Sequence, residues 1–390
     1  MSLSLARKEF EVLVDTLRNH VCLIDYAGLI NKANIVFLMA PTSFIGQSFT
    51  QPIVKMLLDK NKQVFLVDDT LSITTENMHG CPVIKSTEIF QVKSDSCLAI
   101  NMANTVFAHG FFETVALRAG VLTLDIIPVL DFFNFPVIYQ SASVMRAATL
   151  ERLDDYIALA HQLDDEFSIQ TLGCYLNMRV TLDRKAILPV LCSLEDEYFS
   201  PYPAGKNITF ELGAEEILCD IGAHVGTTIY KFLTATRWKY SAIHAFEPDT
   251  VNYEALKNEF FSKLPNFNAK NIALSDVKSV LGFSETGTMG SRLDSSGNMQ
   301  IQVSTLDDEI EHATFIKMDV EGHEVKILQG AKKLLTKSKP RLAITGYHFS
   351  NDLLDIVELI KNTVPEYRLR LRHHSFYYYD SIIYADIKND

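Results

Sequence analysis

The chain has 390 residues, with 36 Lys and Arg against 48 Asp and Glu and a formal net charge of −12. It is 47% hydrophobic and 10% aromatic, enough apolar material for more than one core, which excludes a disordered, collagenous or low-complexity protein. The acidic balance argues against a nucleic-acid partner held by phosphate neutralisation, because that mode needs clustered Lys and Arg.

At the N-terminus Phe10, Leu13, Val14, Leu17 and Val21 recur at helical spacing, interrupted by Lys8, Glu9 and Glu11. This predicts an amphipathic helix rather than a secretory signal. The apolar run 34–39 predicts a strand buried on both faces. Pro41 to Ser43 break it, a helix follows over 44–60, and 63–67 is a second strand ending at Asp68 and Asp69. Further strands are expected at 83–84, 97–101 and 122–124, with a helix over 111–119. Strands alternating with helices imply a parallel sheet, so residues 1–150 are taken as a first α/β domain. The most apolar stretch, 121–139, is broken by Asp125, Pro128, Asp131 and Pro136 and falls short of the ~20 apolar residues of a membrane span.

Residues 151–205 have another texture. Leu153, Ile157 and Ala160 mark one helical face and Asp154 and Asp155 the other, which predicts a helical bridge with a solvated acidic side. The six cysteines, Cys22, Cys81, Cys97, Cys174, Cys192 and Cys219, form no C-x-x-C and have no histidine pair at zinc spacing. Reduced thiols in a cytoplasmic protein are the expectation.

A second βα series occupies about 206–390. The strand 217–221 runs into the pattern D-x-G-x-x-x-G, made by Asp220, Gly222, Ala223, His224 and Gly226. Glycines there allow a sharp turn and a close approach of backbone to ligand. An acidic residue at the strand end would repel a pyrophosphate and suits a cationic ligand; S-adenosylmethionine carries an ammonium and a sulfonium and no phosphate. The next strand, 242–246, ends in Glu247 and Pro248, with Glu247 placed to accept from ribose hydroxyls and Asp249 to cap a helix. Asn271, Ala273 and Leu274 mark a third strand tip that could border an adenine. The strand 313–318 then delivers Lys317, Asp319, Glu321 and His323 at alternate positions, on one side if the extended conformation persists. A plain ion pair of Lys317 with Asp319 is the structural alternative.

On these residues the sequence resembles the FkbM family of S-adenosylmethionine-dependent methyltransferases. The matching elements are Asp220–Gly226, Phe246-Glu-Pro248, Ala273–Asp276, Val303–Asp307, Ile316–Gly322, Gly346-Tyr-His348, Leu371-Arg-His373 and Ile383-Tyr-Ala385. The resemblance covers about 206–386. It implies a class I methyltransferase fold: a seven-stranded, mostly parallel sheet with helices on both faces and an antiparallel last strand. It also implies methyl transfer to a hydroxyl of a sugar, glycan, glycolipid or polyketide-like acceptor. The family's usual Asn is His224 here. Segments within 164–199 resemble a pre-domain of some members, and the front half resembles small Rossmann-like domains of sugar-modifying proteins.

Such transfer needs the acceptor oxygen placed and its proton removed. His323 and His348 rank first as base, with Asp319 and Glu321 as further catalytic candidates and Asp319 also bordering the cofactor. The Gly- and Ser-rich loop 287–294 could form an acceptor-side lid; Ser291 and Arg292, with Tyr347, are candidate substrate contacts. No metal site is assigned, since two carboxylates alone do not make one. The amphipathic stretches permit a homodimer without requiring it. Two rivals stand beside this reading. One is a nicotinamide-dependent sugar oxidoreductase using the front domain, whose turn has only Gly46. The other is a non-catalytic scaffold that keeps the fold.

Overall fold

A computed structural model describes residues 2–21, 24–70, 77–92, 96–200, 210–257, 259–286, 290–293, 297 and 299–387. Cys22, the domain start expected at 206, and Gly287–Met289 and Asp294 of the expected lid lie outside the described residues. The chain divides into two compact units, each discontinuous in sequence: Leu17–Leu150 with Tyr175–Leu188, and Met1–Thr16 with Glu151–Cys174 and Pro189–Asp390.

The first unit is built on a six-stranded sheet in the order Asn77–Met78, Cys81–Ile84, Gln63–Val67, Ile35–Met39, Cys97–Asn101, Leu122–Asp125. Only the first pair is antiparallel. Val36, Phe37, Leu38 and Met39 are all buried, as a run without polar alternation requires. Ser43 then caps the helix Phe44–Asp59 by accepting from the Gly46 N–H at 2.9 Å. Gly46 cannot be larger, because a Cβ there would strike the carbonyls of Ala40 and Pro41. The Tyr175–Leu188 segment is tied in by Arg184, which is fully buried. Its Nε lies 3.0 and 2.9 Å from the two oxygens of Asp125, and its Nη1 donates to the Ala103 carbonyl at 2.9 Å.

In the second unit a seven-stranded sheet runs Arg368–His373, Ser381–Asp386, Arg341–Thr345, Phe315–Met318, Ile217–Ile221, Ala242–Phe246, Phe267–Lys270. The last strand in the chain is antiparallel to both its neighbours, and the other pairings are parallel. Its core is aromatic: Phe199 and Phe210 meet Phe315 edge-on at 5.5 and 5.4 Å. Among the described residues no helix is long and apolar enough to cross a membrane.

Three local readings differ from expectation. The first helix ends at Arg18, so Phe10, Val14 and Leu17 are buried while Val21 lies beyond it and is exposed. The third strand of the large sheet is Phe267–Lys270. Ala273–Leu274 instead pairs with Val303 and Ser304 in a separate four-stranded sheet, because the chain turns at Asn271. The strand carrying Lys317 stops at Met318, and Glu321 and Gly322 take φ of 59° and 93°. The alternation therefore ends before Glu321 and His323.

Candidate active site

The parallel order places Ile217–Ile221 directly between Ala242–Phe246 and Phe315–Met318, so the turns after all three strands meet at one carboxyl edge. Such an edge is where open α/β sheets take ligands. Gly222 turns away with φ 75° and donates its N–H to the Phe246 carbonyl at 3.0 Å. A Cβ on Gly222 would collide with the Asp319 carbonyl, so only glycine lets these turns close together. Gly226, at φ 90°, faces Phe261 in the same way.

Glu247 is buried and clasps this loop. One carboxylate oxygen accepts from the His224 N–H at 2.7 Å and the other from the Asp249 N–H at 2.9 Å. Burial nevertheless raises its carboxyl to about 7 against those two bonds. Asn271 bridges the same tip, donating to the carbonyls of Glu247 and Pro248, each at 2.9 Å. Ser291 is drawn there too, its hydroxyl 2.5 Å from the Asp249 carboxylate. Ala223 is buried under the loop, His224 takes φ 49°, and burial lowers its imidazole. Arg292 pairs with Ser284 in the small sheet.

Asp220 lies wholly inside, 3.2 Å from Lys317 Nζ, which also donates to the Gly222 carbonyl at 2.7 Å. Lys317 thus serves Asp220 and the loop, whereas the sequence allowed it to pair with Asp319. Neither oxygen of Asp220 accepts a well-aligned hydrogen bond, and burial raises its pKa while Lys317 opposes. This leaves acceptor capacity at the base of the glycine turn, which fits an ammonium-bearing cofactor. Glu247 at the second strand tip fits its ribose.

Asp319 accepts from the Tyr198 hydroxyl at 3.0 Å, and the Thr345 hydroxyl oxygen lies 3.3 Å from it. Beside it His348 is 1% exposed, with Nε2 3.4 Å from Asp319 and 3.3 Å from Glu321, and Nδ1 3.1 Å from Glu324. Burial pulls the imidazole pKa down, but Glu324, Glu321 and Asp319 carry it well above the usual histidine range. Tyr347 lies against the His348 ring at 4.2 Å. His323 goes elsewhere: it stands at the N-terminus of the helix Glu324–Gln329, 2.8 Å from the Ser275 hydroxyl, with its pKa lowered by burial. The structure therefore joins His348, Asp319, Glu321 and Tyr347, and turns His323 to Ser275 instead.

Tyr198 and Glu324 were not singled out as site residues by sequence. Tyr198 stands 121 residues from Asp319, a separation no local pattern bridges. Glu324 reads as a helix start, and its signal was the acidic residue two after Gly322. Among the described residues, Asp319, Glu324 and His348 each bring a possible cation-ligating atom within 4.8 Å of the others. Glu324 Oε1 accepts from the Val320 N–H at 3.1 Å and the Thr345 hydroxyl at 3.1 Å.

In the front sheet Asp68 ends the second strand as expected. It accepts from the Thr42 hydroxyl, and from the Thr70 N–H at 2.8 Å and hydroxyl at 2.5 Å. Its carboxylate is thus engaged by neighbouring residues.

A sequence model of the methyltransferase FkbM domain matches residues 220–376. A crystal structure of methyltransferase FkbM from Methylobacillus flagellatus KT is similar over 98% of this chain and 100% of its own, with TM-score 0.77 and 22% identity, a likeness of fold. Two further structures are too distant to carry an argument. They are a precorrin-6y C5,15-methyltransferase from Geobacter metallireducens GS-15 (TM-score 0.28, 12% identity, 45% of this chain, 81% of that one) and the pyocyanin biosynthetic protein PhzM (0.26, 9%, 71%, 88%). No curated protein matches the chain. Residues 220–376 are thus similar in sequence to the methyltransferase FkbM domain, and the α/β fold is similar to that of the Methylobacillus structure.

Proposed function

We propose that this protein is an S-adenosylmethionine-dependent O-methyltransferase acting on a hydroxyl of a sugar, glycan, glycolipid or polyketide-like acceptor. The observation that carries the reading is the meeting of the Gly222–Gly226 turn and Glu247 with Asp319 and His348 at one edge of the sheet. Bound S-adenosylmethionine supplies a methyl group on a sulfonium, already activated toward an oxygen nucleophile. Glu247 and the glycine turn would hold the nucleoside end. Asp220, with its acceptor capacity, and Asp319 would favour the cationic end.

The remaining task is to orient the acceptor and take its proton. A hydroxyl is a poor nucleophile until that proton leaves. His348 Nε2 faces the space bordered by Asp319 and Glu321 and is the base in this reading. Tyr347, against the His348 ring, is the acceptor contact in this reading. A cytoplasmic location accords with the cysteine usage. The front sheet is read as Rossmann-like from its parallel strand order, with a role in holding substrate or in structure.

The test is transfer of labelled methyl from S-adenosylmethionine to a panel of neutral, amino and acidic glycans and hydroxylated polyketides. Label in an acceptor, lost on His348→Ala with cofactor affinity retained, supports the reading. Equal transfer by the His348→Ala protein removes His348 as base, and label on nitrogen or carbon alone removes the hydroxyl acceptor.

A further inference from the structure

We propose that the exposed aromatic patch of Trp238, Tyr230 and Phe260, with Arg237 and Lys239 beside it, docks on an anionic phospholipid membrane surface. The claim concerns binding alone and does not depend on the methyl-transfer reading. The three rings come from the second unit: Tyr230 from the helix Thr227–Ala235, Trp238 from the turn after it, and Phe260 from the helix Glu259–Ser262. The Phe260 ring stacks on Tyr230 at 5.1 Å and meets Trp238 edge-on at 5.8 Å. All three stay open to solvent, Trp238 58% exposed, Tyr230 46% and Phe260 38%. Phe261, 4.8 Å from Tyr230 and 5.4 Å from Phe260, is buried and belongs to the core beneath them. Clustered exposed rings of this kind mark a contact with something outside the chain.

The turn that holds Trp238 outward is strained. The Arg237 N–H donates to the Thr234 carbonyl at 3.1 Å and the Trp238 N–H to the Leu233 carbonyl at 2.9 Å, which closes the helix end. Such an end commonly puts glycine in the left-handed region; here Arg237 at φ 53° and Trp238 at φ 62° occupy it. Bulky side chains are disfavoured there, yet the chain's one tryptophan takes that place with its ring exposed.

Charge selects the occupant. The chain carries −12 overall, yet from Gly226 to Phe246 its Lys, Arg, Asp and Glu residues are Lys231, Arg237 and Lys239 alone. Lys231 turns to the carbonyls of Leu194 and Glu197 at 3.0 and 2.8 Å, and Lys257 is matched by Glu254 at 3.1 Å. Arg237 and Lys239, both exposed, carry the positive charge beside Trp238. A second copy docking through the same face would set these cations against each other. An anionic lipid surface pairs with them instead, while Trp and Tyr, apolar in body and polar at one edge, settle at the headgroup boundary.

The test uses the full chain with vesicles of equal parts phosphatidylcholine and phosphatidylglycerol, and phosphatidylcholine alone as control. Because Trp238 is the only tryptophan, intrinsic emission reports on the patch. The protein should sediment with the anionic vesicles and not with the control, its emission should move to shorter wavelength, and salt should weaken both effects. Arg237→Gln combined with Lys239→Gln should lower the partition coefficient about tenfold or more, each cation near such a surface being worth about fivefold. Trp238→Ser should lower it as well, with urea midpoints showing that the variants are folded. Failure of the wild type to sediment with anionic vesicles overturns the proposal. So does sedimentation with an unmoved emission, or undiminished in Trp238→Ser, which would put the contact elsewhere. An emission shift that grows with protein concentration without vesicles, alongside a doubled mass, would make the patch an interface between two copies and overturn it too.

Discussion

Gly222 is a single residue on which the geometry of the cofactor side turns. Its positive φ and the closeness of the Asp319 carbonyl leave no room for a side chain. Gly222→Ala should cost about 1–3 kcal/mol of backbone strain, read as a lower urea midpoint. It should also weaken S-adenosylmethionine about tenfold or more, since each 1.4 kcal/mol lost at the site is tenfold. The pH dependence of transfer also belongs at this scale. The carboxylates around His348 hold its pKa above the histidine range. The neutral base is therefore scarce at neutral pH and grows as pH rises, so kcat should climb on the alkaline side. A rate limb near or below the ordinary histidine value would contradict that. The glycines and Glu247 were legible in sequence because a turn needs those residue types in that order. The choice between His323 and His348 was not, because it depends on where a four-residue strand stops.

At the scale of elements, the clearest test is the pairing of Asp125 with Arg184. Burial would raise the Asp125 carboxyl, but Arg184 and His109 overcome it and hold it near about 2. Asp125→Asn leaves a fully buried guanidinium without its counter-charge, and breaking such pairs costs about 3–5 kcal/mol. Urea unfolding of the full chain should show this loss. The folded pKa is depressed, so the pair's contribution is present above the unfolded carboxylate value and is lost as pH falls toward about 2. An unchanged midpoint would mean that the segment 175–188 is held by its apolar residues instead. The strands on both sides of this pair were readable from their apolar runs. The pair itself was not, since 59 residues separate its members.

For the whole molecule, the strand order puts carboxyls from distant segments around one site. Glu197 is raised to about 8 by burial and the charge of Asp380, and Asp380 to about 7 by burial and the charge of Asp319. Both keep protons in the folded state that the unfolded chain releases near pH 4–5. Their contribution to stability is therefore complete in mild acid and lost as pH rises to about 8. Glu197→Gln should narrow the gap between urea midpoints at pH 5 and pH 9; a gap equal to wild type would remove Glu197 from this balance. The seven-stranded sheet with its antiparallel last strand was expected only through the family resemblance that the ordered motifs carry. The separate four-stranded sheet was not expected, because its strands are short and pair non-locally.

The central claim is that the glycine turn and Glu247 form a cofactor cradle. Its direct test is calorimetric titration of S-adenosylmethionine and S-adenosylhomocysteine into the wild type and Glu247→Ala. The account predicts saturable binding of both by the wild type and affinity weakened tenfold or more (about 1.4 kcal/mol) in the folded variant. Absence of binding by folded, ligand-free wild type, or equal binding by the variant, would contradict it.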